Sequence, residues 1–287
     1  MKKEKLLKRG LASLLAVVLA VGLLPMMPGN MATVKAADGD KTVSLGTDVI
    51  KNPTAPTAST DTWKGSYVYF GNYDADGDGT AEPVKYRVLD SETSVFGGTT
   101  MLLDCDSILW AGTYGDNQSS AFDDDSNVWA NSNIKTYLNG TFLTSNFSTA
   151  EQSAIASSTK SVADGTDGNG WSNLSYASLN NDKIFLLDAK EVTNTSYGYS
   201  NTDGSAVNRK KTGGNAYWWL RSAFTSIPYG AGAVYSYGYI YCFDVYDDNV
   251  GVSPAFNVNL QSVLFSSVIS GTAGETGAEY KLSLIHI

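Results

Sequence analysis

Catalysis needs titratable side chains within reach of one another, and this chain offers few. Its single histidine, His286, stands in the final "LSLIHI". That hexapeptide breaks the character of the preceding "GTAGETGAEYK" and equals the translation of a transposase adaptor used in sequencing libraries. Residues 282–287 are therefore expected to be read-through, and Ser-His-Asp and Cys-His systems have no native base. Cys105 and Cys242 make a poor zinc site. Their separation could close one long disulfide loop, but unpaired or buried thiols are the expectation. Asp74, Asp76 and Asp78 alternate in "DADGDG" like the opening of a calcium loop. The twelfth position, where an EF-hand places a bidentate Glu, is Lys85, and no helices flank it. An acidic β-turn is the better reading there, and Asp123–Asp125 reads as a solvated loop. Paired carboxylates could serve a glycosidase, yet nothing singles out two. No enzyme and no cofactor is expected.

The segment 235–250, "YSYGYIYCFDVYDDNV", suggests binding instead. Tyr235, Tyr237, Tyr239 and Tyr241 alternate, so a strand would place the four rings on one face. Ser236, Gly238, Ile240 and Cys242 would form a small face pressed against the domain. A two-sided core strand would need a partner for each hydroxyl; an exposed face demands less. Tyr, Ser, Gly, Asn and Asp are also what evolved binding surfaces favour, because Tyr gives contact area at small entropic cost. The candidate ligand-binding residues are Tyr229, Tyr235, Tyr237, Tyr239, Tyr241, Phe243, Asp244, Tyr246, Asp247, Asp248 and Asn249. From Ser222 to Leu260 there is no Lys, Glu, Gln, Met or Trp. Those five cannot be encoded when an AAC or AAT codon is randomised at its adenines. The gap suggests diversification by a diversity-generating retroelement.

Several elements must position these residues. "MKKEKLLKRG" and "LASLLAVVLAVGLL" form the basic and apolar regions of a secretory signal peptide spanning 1–37, with cleavage expected after Ala36 or Ala37. Its removal takes away six basic side chains and one acid. That leaves 14 basic against 28 acidic residues, a formal charge of −14. Such a surface repels phosphate backbones, so no nucleic-acid partner is expected. Membrane contact is expected only through the uncleaved signal peptide. Residues 38–62 read as a flexible Pro/Thr/Ala-rich leader. "SYVYFGNY" and "EPVKYRVLD" predict two strands joined by "DADGDGTA", and "MLLDCDSILW" predicts a third. "NSNIKTYLNG" predicts a helix with Ile134, Tyr137 and Leu138 on one face, stopping at Gly140. "STAEQSAI" carries a capping box, Ser148 with Glu151. After the loop "ADGTDGNGWSN", "KIFLLD" predicts another strand. Helices and strands are grouped rather than alternating, and the fold class is α+β.

"YWWLRS" (217–222), "GVSPAFNV" (251–258), "IKTYLNGTFLTSNFSTAEQSAI" and "KIFLLDAKEVTNTSYGYS" resemble an uncharacterised family of secreted bacterial domains. That family is distantly similar to the C-type-lectin-like fold of the formylglycine-generating enzymes. The resemblance spans 63–265 and implies small twisted antiparallel sheets, two short helices and long irregular loops, with 222–250 displayed. It implies core roles for Trp218, Trp219 and Leu220 and a structural hydrogen-bonding role for Arg221. The paired active-site cysteines of those enzymes have no counterpart here, so their activity is not carried over. Ser253 stands where the family usually has Arg, so that arginine's anchoring is expected to be missing. Residues 266–281 are expected to begin a truncated downstream region, which leaves room for a C-terminal cell-wall attachment. The expected function is a secreted or cell-surface protein binding a protein or glycan ligand. The alternatives are a structural module of a larger cell-envelope protein and, less favoured, a carboxylate-dependent glycosidase.

Overall fold

The structure, a computed structural model, describes residues 34–35, 42–45, 49–114, 118–161 and 173–285. The expected signal peptide, its cleavage site, most of the loop 163–173 and His286 lie outside the described residues.

Two short strands, β1 (Val34–Lys35) and β2 (Thr42–Leu45), precede those read from the sequence. In β3 (Tyr67–Tyr73), buried Val68 and Phe70 alternate with half-buried Tyr67 and Tyr69, as in a half-buried strand, until a register shift between Tyr69 and Asn72 leaves Asn72 exposed and Tyr73 buried. β4 (Glu82–Thr93) follows the aspartate-rich turn. Every residue of β5 (Thr100–Cys105) is buried, as a continuous apolar run predicts. β6 (Thr113–Tyr114) pairs with β7 (Gln118–Ser119), and β8 (Ser158–Lys160) with β9 (Leu179–Asp182). β10 (Ile184–Phe185) is the regular part of "KIFLLD". β11 (Trp218–Ala223), β12 (Gly230–Val234) and β13 (Ile240–Asp244) form an antiparallel sheet of their own. β14 (Ala255–Asn259), β15 (Val263–Ser270) and β16 (Glu279–Leu284) complete the set.

Among the described residues the main sheet has the order β1-β2-β15-β16-β3-β4-β5-β14-β10. Neighbours are antiparallel except β16 and β3, which run parallel with Glu279 opposite Tyr67. Aromatic rings join the sheet to the helices. Phe256 of β14 meets Tyr86, Phe70 and Phe147 at centroid distances of 4.8, 5.4 and 5.6 Å. With its described α-helices grouped between residues 133 and 154, the fold is mixed and belongs to the α+β class.

One expectation needs correction. The helix starting at Asn133 is capped by the Ser132 hydroxyl, which accepts from the Lys135 amide at 3.3 Å. It does not stop at Gly140. A π turn (Leu138–Phe142) and a further α turn (Leu143–Asn146) carry it on, because Phe142 and Leu143 continue its buried face. The predicted boundary after Phe265 falls inside β15, and β16 then enters the sheet with Ala278, Tyr280 and Leu282 buried around it. Leu282–Leu284 of "LSLIHI" pair with β15. Residues 49–62, read as leader, already hold Ile50 and Pro53 buried. The capping box is present as expected: Ser148 Oγ accepts from the Glu151 amide and Glu151 Oε2 accepts from the Ser148 amide. Glu151 Oε1 also accepts from the Gly71 amide, which ties this helix to β3.

Candidate functional site

β11 anchors the small sheet. Trp218, Trp219, Leu220 and Arg221 are fully buried, and the two indole N–H groups donate to Arg209 O and Ser120 O. Arg221 works as the structural residue its context implies. It donates to Asp188 Oδ2 at 2.8 Å, to both Glu191 oxygens at 2.6 and 2.9 Å, and to the carbonyls of Leu186 and Ala177. The Leu186 and Leu187 carbonyls thus serve Arg221 rather than a ladder, which explains why β10 ends after two residues. Lys160 closes the cluster on Glu191 at 2.6 Å. Burial alone would raise the Glu191 carboxyl, but Arg221 and Lys160 together hold it at about 2.

A second buried cluster was not legible in the sequence. Lys211 donates to both oxygens of Asp104 and to Ser253 Oγ, each at 2.8 Å, and Tyr199 donates to Asp104 at 2.5 Å. A cation therefore does reach Ser253, which itself bonds the Cys105 and Ser107 carbonyls. A Ser–Lys pair can carry out acyl transfer in an open cleft. Here both side chains are fully buried and the ammonium is held by Asp104. Cys105 and Cys242 are free thiols, each pushed up to about 11, chiefly by burial. Among the described residues, two surface concavities, one beside Thr149 and Ser262 and one beside Phe96 and Asn259, have no titratable side chain in their walls.

The tyrosines do not form a continuous strand. β12 ends at Val234 and β13 begins at Ile240, so Tyr235–Tyr239 is the turn between them. Tyr235 N donates to Tyr239 O, and Gly238 N donates to Tyr235 O, both at 2.7 Å. A period of two cannot separate a strand from a tight turn of this kind. Gly238 is obligatory there: its φ is +81°, and a Cβ would lie 1.9 Å from Ala206 O. From beneath, Arg209 donates to Gly238 O at 2.8 Å, and Ile240 N donates to Asp203 O. The Arg209 guanidinium is capped by the Val192, Ser200 and Gly204 carbonyls as well, and burial pulls its pKa down to about 10.

The rings still converge. Tyr237 stacks on Tyr239 and Tyr239 on Tyr241, with centroids 6.1 and 6.2 Å apart, and Tyr235 stacks on Phe243 at 4.7 Å. Tyr217 and Phe224, not among the expected residues, extend the file by edge contacts with Phe243 and Tyr241. Tyr237 is 50% and Tyr241 40% exposed, while Tyr235 and Tyr239 are half-buried. Burial, with Cys242 and the neighbouring tyrosines, lifts the Tyr235 hydroxyl to about 12, and it donates to Cys242 O. Tyr229 (43% exposed) and Tyr246 (56%) stand at the far end of β13, where Tyr246 donates to Asp244 at 2.8 Å. Asp247, Asp248 and Asn249 follow, the last with its carbonyl bonded by Asn215. Asp74, Asp76 and Asp78 lie elsewhere, in the β3–β4 turn. Their carboxylate oxygens come within 4.8 Å of one another, but Asp74 accepts from the Gly77, Asp78 and Gly79 amides, as an acidic turn does.

Residues 97–260, from the approach to β5 to the end of β14, match the family described as Domain of unknown function (DUF6273). The chain belongs to this family. The match takes in both buried charge clusters and the whole β11–β13 unit, and it stops short of β15 and β16. No curated protein and no solved structure matches the chain.

Proposed function

We propose that this is a secreted or cell-surface binding protein without enzymatic activity, presenting its tyrosine-rich turn to a ligand from a C-type-lectin-like scaffold. One observation carries the reading. A file of stacked tyrosines reaches solvent on a turn whose backbone is clamped from beneath by Arg209 and Asp203. Rings held in place on a rigid support lose little entropy on binding. Diversification fits the same surface. Within 222–260 the buried positions include Ala231, Ala233, Val234, Ile240 and Val245, whereas Tyr229, Tyr237, Tyr241 and Tyr246 are exposed. A reverse transcriptase gene beside this one, with a template copy of 222–260, supports that part; a genome without either removes it.

The experiment is a urea melt of three proteins. Tyr237→Ser combined with Tyr239→Ser should shift stability by no more than about 0.5 kcal/mol per site. Trp219→Ala, fully buried, should cost about 3–5 kcal/mol. A double variant that unfolds as readily as Trp219→Ala would show the tyrosines to be core and end this reading. A structural module of a larger envelope protein is the second reading. Leu264 and Ile269 favour it, two exposed apolar side chains on β15 that a further packed element could cover. The complete reading frame separates the two.

A further inference from the structure

The tyrosine face has a charge as well as a shape. β13 is an edge strand of its sheet, with the tyrosine turn at its start and Asp244, Asp247 and Asp248 at and just past its end. Folding brings a second acidic run to that end. Asp123 N donates to Val245 O at 3.1 Å and Asn127 N to Pro228 O at 3.0 Å, so the exposed Asp124 and Asp125 come to the end of β13 that carries Tyr229 and Tyr246. More than a hundred residues separate the two runs in sequence. Neither stretch brings a compensating cation, because 107–134 and 222–260 contain no Lys or Arg. Of the bordering cations, Lys135 pairs with Asp182, Lys211 with Asp104, and Arg221 with Asp188 and Glu191, while Arg209, buried beneath the turn, directs its donors to backbone carbonyls. Crowding shows at Asp247, whose carboxyl is raised by burial and then by Asp244 and Asp248.

We propose that this face binds a basic peptide segment of a partner protein, its Arg and Lys side chains lying on the exposed tyrosines and pairing with the carboxylates. The assignment rests on reading the tyrosine turn as a binding surface. Cations are attracted to the faces of tyrosine rings, and a field of one sign draws in the opposite charge. An extended peptide advances about 3.3 Å per residue, as β13 does, so a segment of similar length reaches from the rings to the acids. A neutral glycan would leave the carboxylates without a role, and a phosphate-bearing polymer would be repelled.

The test uses a short labelled peptide alternating arginine with glycine, followed by fluorescence anisotropy against the full chain. Binding is expected to weaken with salt and to fall about tenfold in the uncharged change Tyr237→Ser with Tyr241→Ser. A similar loss is expected for Asp247→Asn with Asp248→Asn, and none for Asp76→Asn with Asp78→Asn in the β3–β4 turn. Equal loss in both aspartate pairs, or none in the tyrosine pair, would reduce the effect to net charge and overturn the proposal. So would a neutral oligosaccharide that binds through the same tyrosines. Urea melts of each variant are read first. An unfolded tyrosine variant sinks the surface reading itself; stable variants with no peptide binding sink the ligand class alone.

Discussion

Arg221 shows what a single side chain does for this fold. Its guanidinium, with the Lys160 ammonium, balances two buried carboxylates, and removing one partner of such a cluster leaves uncompensated charge. Arg221→Met should therefore cost about 3–5 kcal/mol at neutral pH, measured by urea melt. Glu191 sets the pH dependence. Its carboxyl sits at about 2 in the fold, against roughly 4.3 unfolded. The folded state thus binds fewer protons between those values, and the stabilisation is complete above the unfolded pKa and lost as pH falls through about 2. Asp188, raised by burial and by Glu191, offsets part of it. In the variant the freed carboxylates protonate readily, so the gap to wild type should narrow in acid. A gap that stays constant from pH 7 to about pH 3 would contradict this account of the cluster. At the β3–β4 turn the expectation is an absence of effect. Asp74 already accepts backbone amides, so thermal melts in calcium and in chelator should coincide. A separation of several degrees would establish a cation site there.

At the scale of elements, the two surprises have one cause. Sequence patterns report local geometry, and tertiary contacts overrode them at Gly140 and at Tyr235–Tyr239. Gly140 lies inside a helix that Phe142 and Leu143 extend by packing, and a Cβ there would meet nothing within 4 Å. Gly140→Ala should therefore stabilise the protein by about 0.5–1 kcal/mol, raising the urea midpoint. A loss of stability would mean that the π turn needs glycine. What was legible rests on strong local signals: the all-apolar run of β5, the Ser148–Glu151 box, the Trp218–Leu220 anchor. The structural role of Arg221 was legible through the resemblance carried by "YWWLRS", and its five hydrogen bonds bear that role out. The Lys211–Asp104–Tyr199 cluster was not, since its members come from three distant segments. Nor was the meeting of Asp123–Asp125 with Asp244–Asp248, which rests on hydrogen bonds from Asp123 and Asn127 to segments more than a hundred residues away.

For the whole molecule, the position of β16 matters most. It lies between β15 and β3, and it buries Tyr280 and Leu282. A chain ending at Phe265 would leave β3 with an open edge and uncovered apolar surface. It should aggregate or lose its near-ultraviolet circular dichroism. A truncated chain with the full-length urea midpoint would show residues 266–284 to be dispensable. The same strand also sets a clock. Tyr69 of β3 hydrogen-bonds Glu279 of β16 across 210 residues of chain, and ribosomes add about 5–20 residues per second. For on the order of ten to forty seconds of synthesis, then, the main sheet has no means of closing. Contacts this distant in sequence also form slowly once the chain is complete. Until β16 emerges, β3 waits with one edge unpaired, so the topology itself opens a window for off-pathway strand pairing.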